Sequence, residues 1–328
     1  MHERTRVFLG VDVGSISTKG VIINNENEVL SSDYIWTEGN PIEATKQLIR
    51  SLQSGLDDGV AVTAVGVTGS ARKLVGAMLG AQVTKNEITA HAVGTLSRYP
   101  QARTILEIGG QDSKLILLDG GVVVDYAMNT LCAAGTGAFL SSQAKRLGVR
   151  VEDMGAIALT SQSPSKIAAR CTVFAESDMI HKAQTGHKKE DLIAGLCHAV
   201  AANYLNNLAK GKRLREPVVF QGGVSKNAGV VRAFEEETGF EILVDPNSHL
   251  MGAVGAAILA KEAGEESEFD FHITDVFFST VAHECEGCSN RCEVVSFLKD
   301  GEVMDLWGNR CPKGAAVRHA ADCAQRER

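Results

Sequence analysis

The sequence predicts an α/β protein built from two similar lobes with a cleft between them. A plan of three strands followed by helices occupies the first hundred residues, and the same plan starts again after Pro100. Glycine-rich turns follow strands in both repeats. With 328 residues, 44% of them hydrophobic, the chain is long enough for two substantial cores.

The first repeat begins with a predicted β-meander. Apolar strands are expected at 7–13, 18–24 and 29–36, then a helix at 41–56, a strand at 64–68 and helices at 72–79 and 87–98. These elements predict that residues 1–102 form the first lobe.

The second repeat has strands at 104–108, 114–118 and 122–126, with the turn Asp119-Gly120-Gly121 between the last two. It continues mainly as helix, with strands at 218–221 and 241–244 and a closing apolar helix at 250–263. We expect residues 103–262 to form the second lobe, with the last helix returning toward the first. The acidic stretch 262–270 is interpreted as a linker into a cysteine-rich appendage, residues 263–328.

The overall charge restricts the partners. A formal net charge of −7 gives no basic surplus of the kind that binds a phosphate backbone, so we expect no nucleic-acid partner.

No apolar run reaches the roughly 18 residues that cross a bilayer, and the N-terminus leads into a strand rather than a signal peptide. The sequence therefore predicts a cytoplasmic protein without membrane contact.

Three glycine turns are the candidate nucleotide site. Their candidate binding residues are Asp12, Gly14, Ser15, Ser17, Thr18 and Lys19 in the first turn; Glu107, Gly109, Gly110, Gln111, Asp112, Ser113 and Lys114 in the second; and Gly222, Gly223, Val224, Ser225, Lys226 and Asn227 in the third. Hydroxyls and free N–H groups hold phosphate oxygens, and a carboxylate at a strand end holds Mg²⁺ through water. The third turn, between a strand and a helix, suits a nucleoside.

Each turn alone also fits an ordinary glycine hairpin. Together they are more specific, and neither a Walker motif nor the dinucleotide fingerprint is present. Their order and spacing resemble the actin, sugar-kinase and Hsp70 ATPase superfamily, with its two-lobed, ribonuclease H-like fold. More narrowly, the segments GGQDSK, NTLCAAGTGAFL and ARCTVFAESDM resemble the 2-hydroxyacyl-CoA dehydratase activases, or BadF/BcrA-type ATPases, over residues 7–262.

This resemblance implies a homodimeric ATPase with one [4Fe-4S] cluster shared between its subunits. Such a protein uses ATP hydrolysis to drive electron transfer onto a partner iron–sulfur enzyme: a 2-hydroxyacyl-CoA dehydratase, a benzoyl-CoA-reductase-like enzyme or a double-cubane cluster protein. A ferredoxin- or flavodoxin-like protein is the expected electron donor. Two other functions stay open: a small-molecule kinase of the same superfamily, and a nucleotide-gated binding protein with structural zinc.

Cys132 and Cys171, both in the expected second lobe, are the candidate cluster ligands. Each precedes a segment of helical period, and a helix N-terminus favours a thiolate. A cubane needs four thiolates, so two per chain predict a cluster on a two-fold axis. The alternative is that both are small buried hydrophobes. We interpret Cys197 as a core residue, the neighbouring His198 as structural, and Cys323 as a free thiol.

A second metal site is predicted in the tail. Cys285, Cys288 and Cys292 are closely spaced, and an apolar hairpin at 294–306 returns the chain to Cys311-Pro312. Both an iron–sulfur cluster and structural zinc fit a Cys₄ set; iron–sulfur is slightly favoured, with His283 as a reserve ligand. Short members of the family end near residue 263, so the tail is a departure from their pattern.

Hydrolysis of ATP needs Mg²⁺, phosphate contacts and a positioned water. We expect Asp12 and Asp112 to bind hydrated Mg²⁺ or to orient water, with Gln111 as a second water-positioning candidate. Glu107 stands where the superfamily usually has aspartate. The simpler interpretation is that both aspartates cap turns.

Overall fold

The computed structural model describes residues 4–57, 59–129, 132–265 and 267–311. It contains two five-stranded sheets and a third, three-stranded sheet. Within these residues no helix is both long enough and apolar enough to cross a membrane.

The first sheet has the strand order β3-β2-β1-β4-β5. Its elements are β1 (Thr5–Val13), β2 (Ser17–Ile23), β3 (Val29–Trp36), α1 (Pro41–Ser54), β4 (Val60–Thr68), α2 (Arg72–Leu79) and β5 (Val83–Thr84). The first three strands form the predicted antiparallel meander, and β4 then pairs parallel to β1. Strand β1 is buried from Val7 onward because α1 and α2 cover one face of the sheet and a later helix covers the other.

The second sheet repeats this arrangement with the order β10-β9-β6-β7-β8. The chain reaches it through α3 (Glu87–Arg98), then forms β6 (Thr104–Ile108), β7 (Ser113–Asp119), β8 (Val122–Asn129), α4 (Gly137–Leu147), α5 (Met154–Leu159), α6 (Thr172–Gln184), α7 (Lys189–Tyr204), β9 (Val218–Gln221), α8 (Ala228–Thr238), β10 (Ile242–Leu243) and α9 (Met251–Ala263). Helix α7 is apolar on most sides because it crosses the largest core of the molecule.

Helices α3 and α9 lie between the two sheets. Helix α9 packs on the first sheet, whereas the apolar residues Ile88, Ala92 and Leu96 of α3 pack on the second. The two helices touch through small residues, since a Cβ at Gly255 would lie 1.8 Å from the carbonyl oxygen of Ala90. This close contact brings the N-terminal end of α3 to the edge where β1 and β6 end.

The segment after α9 packs against the first lobe. Its backbone hydrogen-bonds to β4, from Ser267 N to Thr63 O at 2.9 Å and from Phe269 N to Val62 O at 2.8 Å. A strand that we did not predict, β11 (Phe278–Glu284), then pairs with β12 (Glu293–Lys299), which pairs with β13 (Glu302–Trp307). Phe278 and Phe297 enter the first-lobe core beside α1. The stretch 262–270 is thus helix end and sheet edge over its described residues, rather than a free linker.

Candidate functional site

The first two glycine turns place an acid and a lysine opposite one another in the same way. Asp12 on β1 is the cross-strand partner of Lys19 on β2, and Glu107 on β6 is the partner of Lys114 on β7. Each pair is an ion pair: Lys19 Nζ lies 2.9 Å from Asp12 Oδ2, and Lys114 Nζ lies 3.1 Å from Glu107 Oε2. All four side chains line one cavity, so the structure brings the two predicted turns together.

The second pair belongs to a larger charge cluster. Lys114, of which 2% of the side chain is exposed, also lies 2.6 Å from Glu87 Oε2 and 3.0 Å from Asp112 Oδ1. Burial alone would lower the pKa of Lys114, but the three carboxylates raise it well above its usual value. Burial raises the pKa of Glu107 to about 7, against the opposing effect of Lys114.

The first pair consists of one lysine, Lys19, and one carboxylate, Asp12. Burial alone would raise the pKa of the Asp12 carboxyl, but Lys19 outweighs that effect and holds it below the usual value. For Lys19 the opposite holds: burial would lower the pKa of its ammonium group, but Asp12 raises it above the usual value. Both groups are therefore charged at neutral pH.

Helix α3 contributes two cavity residues that our sequence interpretation missed, Glu87 and His91. They are four residues apart, so they share one face of the helix. His91 is 4% exposed, and burial lowers the pKa of its imidazole, with Lys114 adding to the effect. The signal was present in the sequence as a Glu and a His at i and i+4 on a predicted helix, but only the packing of α3 shows that they face the glycine turns.

The rims of the two turns touch. Ser15 Oγ donates a hydrogen bond to Gln111 Oε1 at 2.6 Å, and a Cβ at Gly110 would meet the side chain of Ile16. Gly14, Ser17 and Gly109 line the same cavity. Two predicted hydroxyls lie elsewhere: Thr18 pairs with Thr37 at 3.0 Å, and Ser113 is fully buried.

The third turn follows β9. Gly222 has φ 87°, a conformation that favours glycine, and a Cβ at Gly223 beside it would meet the Tyr34 hydroxyl at 3.9 Å. Ser225 is buried and donates to Gly222 O at 2.7 Å, and Asn227 caps α8 by accepting hydrogen bonds from its first N–H groups. Val224 is a core residue, whereas Lys226 lines a second cavity formed with α8. A nucleoside role for this turn therefore depends on its glycines.

The segment that follows Cys132 is hydrogen-bonded to the second glycine turn. Cys132 N donates to Asn129 Oδ1 at 2.9 Å, and α4 then begins with Gly137 N donating to Gly109 O at 2.9 Å and Ala138 N to Gly110 O at 2.8 Å. A Cβ at Gly137 would lie 3.0 Å from the Gly109 oxygen. Glycine therefore stands at the start of this helix because the backbone of the second glycine turn passes there.

Cys171 is the N-cap residue of α6 and is exposed. Its loop is held by Asn203 of α7, whose Nδ2 donates to Arg170 O at 3.0 Å. The same asparagine lies against Gly135, beside the Cys132 loop. The next residue, Tyr204, donates from its hydroxyl to the carbonyl oxygen of Lys114 at 2.6 Å. One turn of α7 thus contacts both cysteine loops and strand β7, whose Lys114 lines the cavity between the first two glycine turns.

The other cysteines differ in setting. Cys197 is 1% exposed in the core, as predicted, and burial raises the pKa of its thiol to about 12. In the tail, Cys285 N donates to Cys292 O at 2.8 Å, at the end of the sheet where β13 also finishes. Across the ranges the structure describes, no three His, Cys, Asp or Glu side chains are arranged to hold a metal ion. Pro312 and Cys323 lie outside those ranges.

Comparisons with known proteins identify relatives of this chain. The chain is 37% identical over 265 residues to the 2-hydroxyisocaproyl-CoA dehydratase activator of Clostridioides difficile, covering 79% of this chain and 97% of that protein. It is 35% identical over 256 residues to the (R)-2-hydroxyglutaryl-CoA dehydratase activating ATPase of Acidaminococcus fermentans, covering 77% and 96%.

A solved structure of the activator of the 2-hydroxyisocaproyl-CoA dehydratase from Clostridium difficile, with bound ADPNP, is also similar. It superimposes with a TM-score of 0.73 at 36% identity, over 78% of this chain and 95% of that one. The expected two-lobed, actin-like ATPase fold is confirmed. The model of the BadF/BadG/BcrA/BcrD ATPase family matches residues 9–260, and the chain belongs to that family.

Proposed function

We propose that this protein is an ATP-dependent reductive activase, a homodimer that uses ATP hydrolysis to drive low-potential electron transfer onto a partner iron–sulfur enzyme. The observation that supports the proposal is the direct contact between the second glycine turn and the segment after Cys132. In this contact the first N–H groups of α4 donate hydrogen bonds to the carbonyl oxygens of Gly109 and Gly110. Relatives that activate 2-hydroxyacyl-CoA dehydratases support the activator role.

ATP or ADP would bind between the first two turns, with the nucleoside at Gly222 and Gly223. Asp12 and Asp112 carry oxygen ligands of the kind that Mg²⁺ prefers, and both line the cavity. Asp12, Asp112 and Gln111 are the proposed residues for holding hydrated Mg²⁺ and orienting the attacking water.

Cys132 and Cys171 fit a shared [4Fe-4S] cluster. Both thiols are free, Cys132 is half-buried and Cys171 is exposed, so a second subunit can reach them. Val173 and Phe174, just after Cys171, expose 65% and 60% of their surface, which suits burial in a dimer. When bound, the cluster supplies one-electron redox chemistry.

The nucleotide would act on the cysteine loops through two contacts. One is the hydrogen-bonded start of α4, and the other is the hydroxyl of Tyr204 on Lys114 O, one residue from the asparagine that holds both loops. A movement of β7 on nucleotide binding therefore displaces α7 and the loops together.

The Tyr204 contact can be removed alone. In Tyr204→Phe we expect ATP hydrolysis within about threefold of wild type, since the side chain does not line the cavity, while the nucleotide-dependent change in the reactivity of Cys171 toward a thiol reagent is lost. Tyr99→Phe, whose hydroxyl lies 3.4 Å from Asp245, is the matched control. An unchanged nucleotide response in Tyr204→Phe would contradict this route.

The tail would hold a second Cys₄ site made of Cys285, Cys288, Cys292 and Cys311. Two observations support this site: the first three cysteines are closely spaced in the sequence, and β13 returns the chain to the end of the tail sheet where they lie. Because the described side chains form no ready metal group, no step of the mechanism is assigned to it. Iron–sulfur is slightly favoured over zinc for this site.

An anaerobic preparation tests the whole proposal. We expect iron and sulfide for one [4Fe-4S] cluster per dimer beyond the tail site, a reduced-state EPR signal that changes with nucleotide, and electron delivery to a dehydratase-like partner from a ferredoxin- or flavodoxin-like donor. Cys171→Ser should lose the shared cluster, whereas Cys197→Ala should keep it. Iron-free protein that phosphorylates a sugar would overturn the proposal in favour of a kinase.

A further inference from the structure

We propose that Glu87, the first residue of α3, is a catalytic residue that accepts the proton of the water attacking the terminal phosphate. The inference deepens the ATPase part of the proposed function. Glu87 lines the cavity between the two phosphate turns, and its side chain is 17% exposed, so a water in that cavity can reach it. None of the glycine-turn motifs contains it.

The Glu87 carboxylate is held in position by the helix cap and by Lys114. Asn86 caps α3 by accepting a hydrogen bond from Thr89 N at 2.9 Å, so the helix start that carries Glu87 is well defined. Lys114 Nζ then holds Glu87 Oε2 at 2.6 Å. An oriented base contributes more to catalysis than a mobile one, because its geometry is set before reaction.

Two other carboxylates of the cavity suit this role less well. Lys19 holds the pKa of the Asp12 carboxyl below its usual value, which makes Asp12 the weaker base. Glu107 is only 4% exposed, and Lys114 Nζ lies 3.1 Å from its Oε2, so water has little access to it. For Glu87, burial raises the carboxyl pKa, Lys114 opposes the effect, and Asp12 and Asp112 add to it. His91, one turn along α3, lines the same cavity.

The step conserves atoms and charge. The water oxygen forms a bond to the γ-phosphorus while the bond from that phosphorus to the β,γ-bridging oxygen breaks, and ADP leaves with the electron pair. One water proton passes to the Glu87 carboxylate and then to solvent. No electron is gained or lost in this step.

Glu87→Gln tests the assignment. We expect kcat for ATP hydrolysis to fall by roughly 10²-fold and KM for ATP to stay within about threefold. In wild type, kcat should fall on the acid side as a single carboxyl is protonated, and that acid limb should disappear in Glu87→Gln. A residue that only supported Lys114 would lower kcat without changing the shape of the pH profile.

Glu43→Gln is the matched control. Glu43 also lies in the first turn of a helix capped by asparagine and 3.4 Å from a lysine, but outside the cavity. Both variants should keep wild-type thermal stability within a few degrees and bind a fluorescent ATP analogue. Wild-type kcat in Glu87→Gln, or an acid limb that persists there, overturns the proposal. Wild-type protein without ATPase activity would instead refute the proposed function.

Discussion

The first two glycine turns share one backbone arrangement but differ in charge. In both, an acid at the end of a central strand faces a lysine seven residues later on the neighbouring strand. In the first turn one lysine meets one carboxylate; in the second, Lys114 meets three. The two turns therefore have the same strand pairing but different numbers of carboxylates around their lysines.

The two extra carboxylates have different origins. Asp112 comes from the second turn itself, whereas Glu87 comes from α3, which packs on the second sheet. The second turn also makes the hydrogen bonds to the helices. Its backbone carbonyls accept from the first N–H groups of α4, and the carbonyl oxygen of Lys114 accepts from the Tyr204 hydroxyl. The more heavily charged turn is thus the one connected to the cysteine loops.

The largest expected effect comes from Lys114→Met. Removing this cation leaves Glu87, Glu107 and Asp112 without their shared partner, and the first two are largely buried. We expect the free energy of unfolding to fall by about 5 kcal/mol, the upper end of the range for breaking a buried ion pair. Urea-induced unfolding followed by circular dichroism at pH 7.5 measures it.

The equivalent change in the first turn sharpens the comparison. Lys19→Met leaves a single buried carboxylate, Asp12, and should cost about 3 kcal/mol. Lys114→Arg, which keeps the positive charge, should recover part of the loss at position 114. Equal losses in the two Lys→Met variants would show that the extra carboxylates do not matter to stability.

The second turn should also show its own pH dependence. The pKa of Glu107 is about 7 in the folded protein, above that of an exposed glutamate, so the folded state binds the extra proton between those values. Wild-type stability should therefore decrease as pH rises from roughly 4.5 to 7, by on the order of 3 kcal/mol. Glu107→Gln lacks this group, so its stability relative to wild type should increase over the same range.

Unfolding in urea at several pH values measures the difference between the two proteins. Asp12→Asn is the contrasting variant, because the pKa of Asp12 is lowered and its contribution is lost only in acid, below its usual pKa. A flat difference between wild type and Glu107→Gln from pH 4.5 to 8 would contradict the raised pKa.

The same contrast shows what the sequence can predict. The pairing of Asp12 with Lys19 is local: an acid, a tight turn and a lysine on adjacent strands suffice to anticipate it. The contact of Glu87 with Lys114 is not, because these residues are 27 positions apart and meet only through the packing of α3 between the sheets. The cysteine motifs were specific enough to identify the family, yet the reason for Gly137 became visible only with the Gly109 carbonyl beside it.

The tail also contains an element that the sequence did not predict. Its hairpin was predicted from apolar residues on both sides of the turn Lys299-Asp300-Gly301, whereas β11 was missed because Phe278–Glu284 mixes apolar and polar residues without alternation. Pairing with β12 and burial of Phe278 against the first lobe make it a strand. Tertiary contacts, rather than local preference, decided that element.

Asp112 should show the smallest effect on stability and a large one on activity. About 33% of its side chain is exposed, so Asp112→Ala should cost no more than about 1 kcal/mol although it removes one of the three carboxylates on Lys114. ATP hydrolysis should nevertheless fall at least tenfold, because Asp112 lines the cavity where the phosphates would bind. Asp119→Ala, at the other end of β7 and paired with Arg103, is the control. Normal ATP hydrolysis by Asp112→Ala would remove Asp112 from the catalytic residues and leave it as one more counter-ion of Lys114, so that Glu87 and Gln111 alone would orient the water at the second turn.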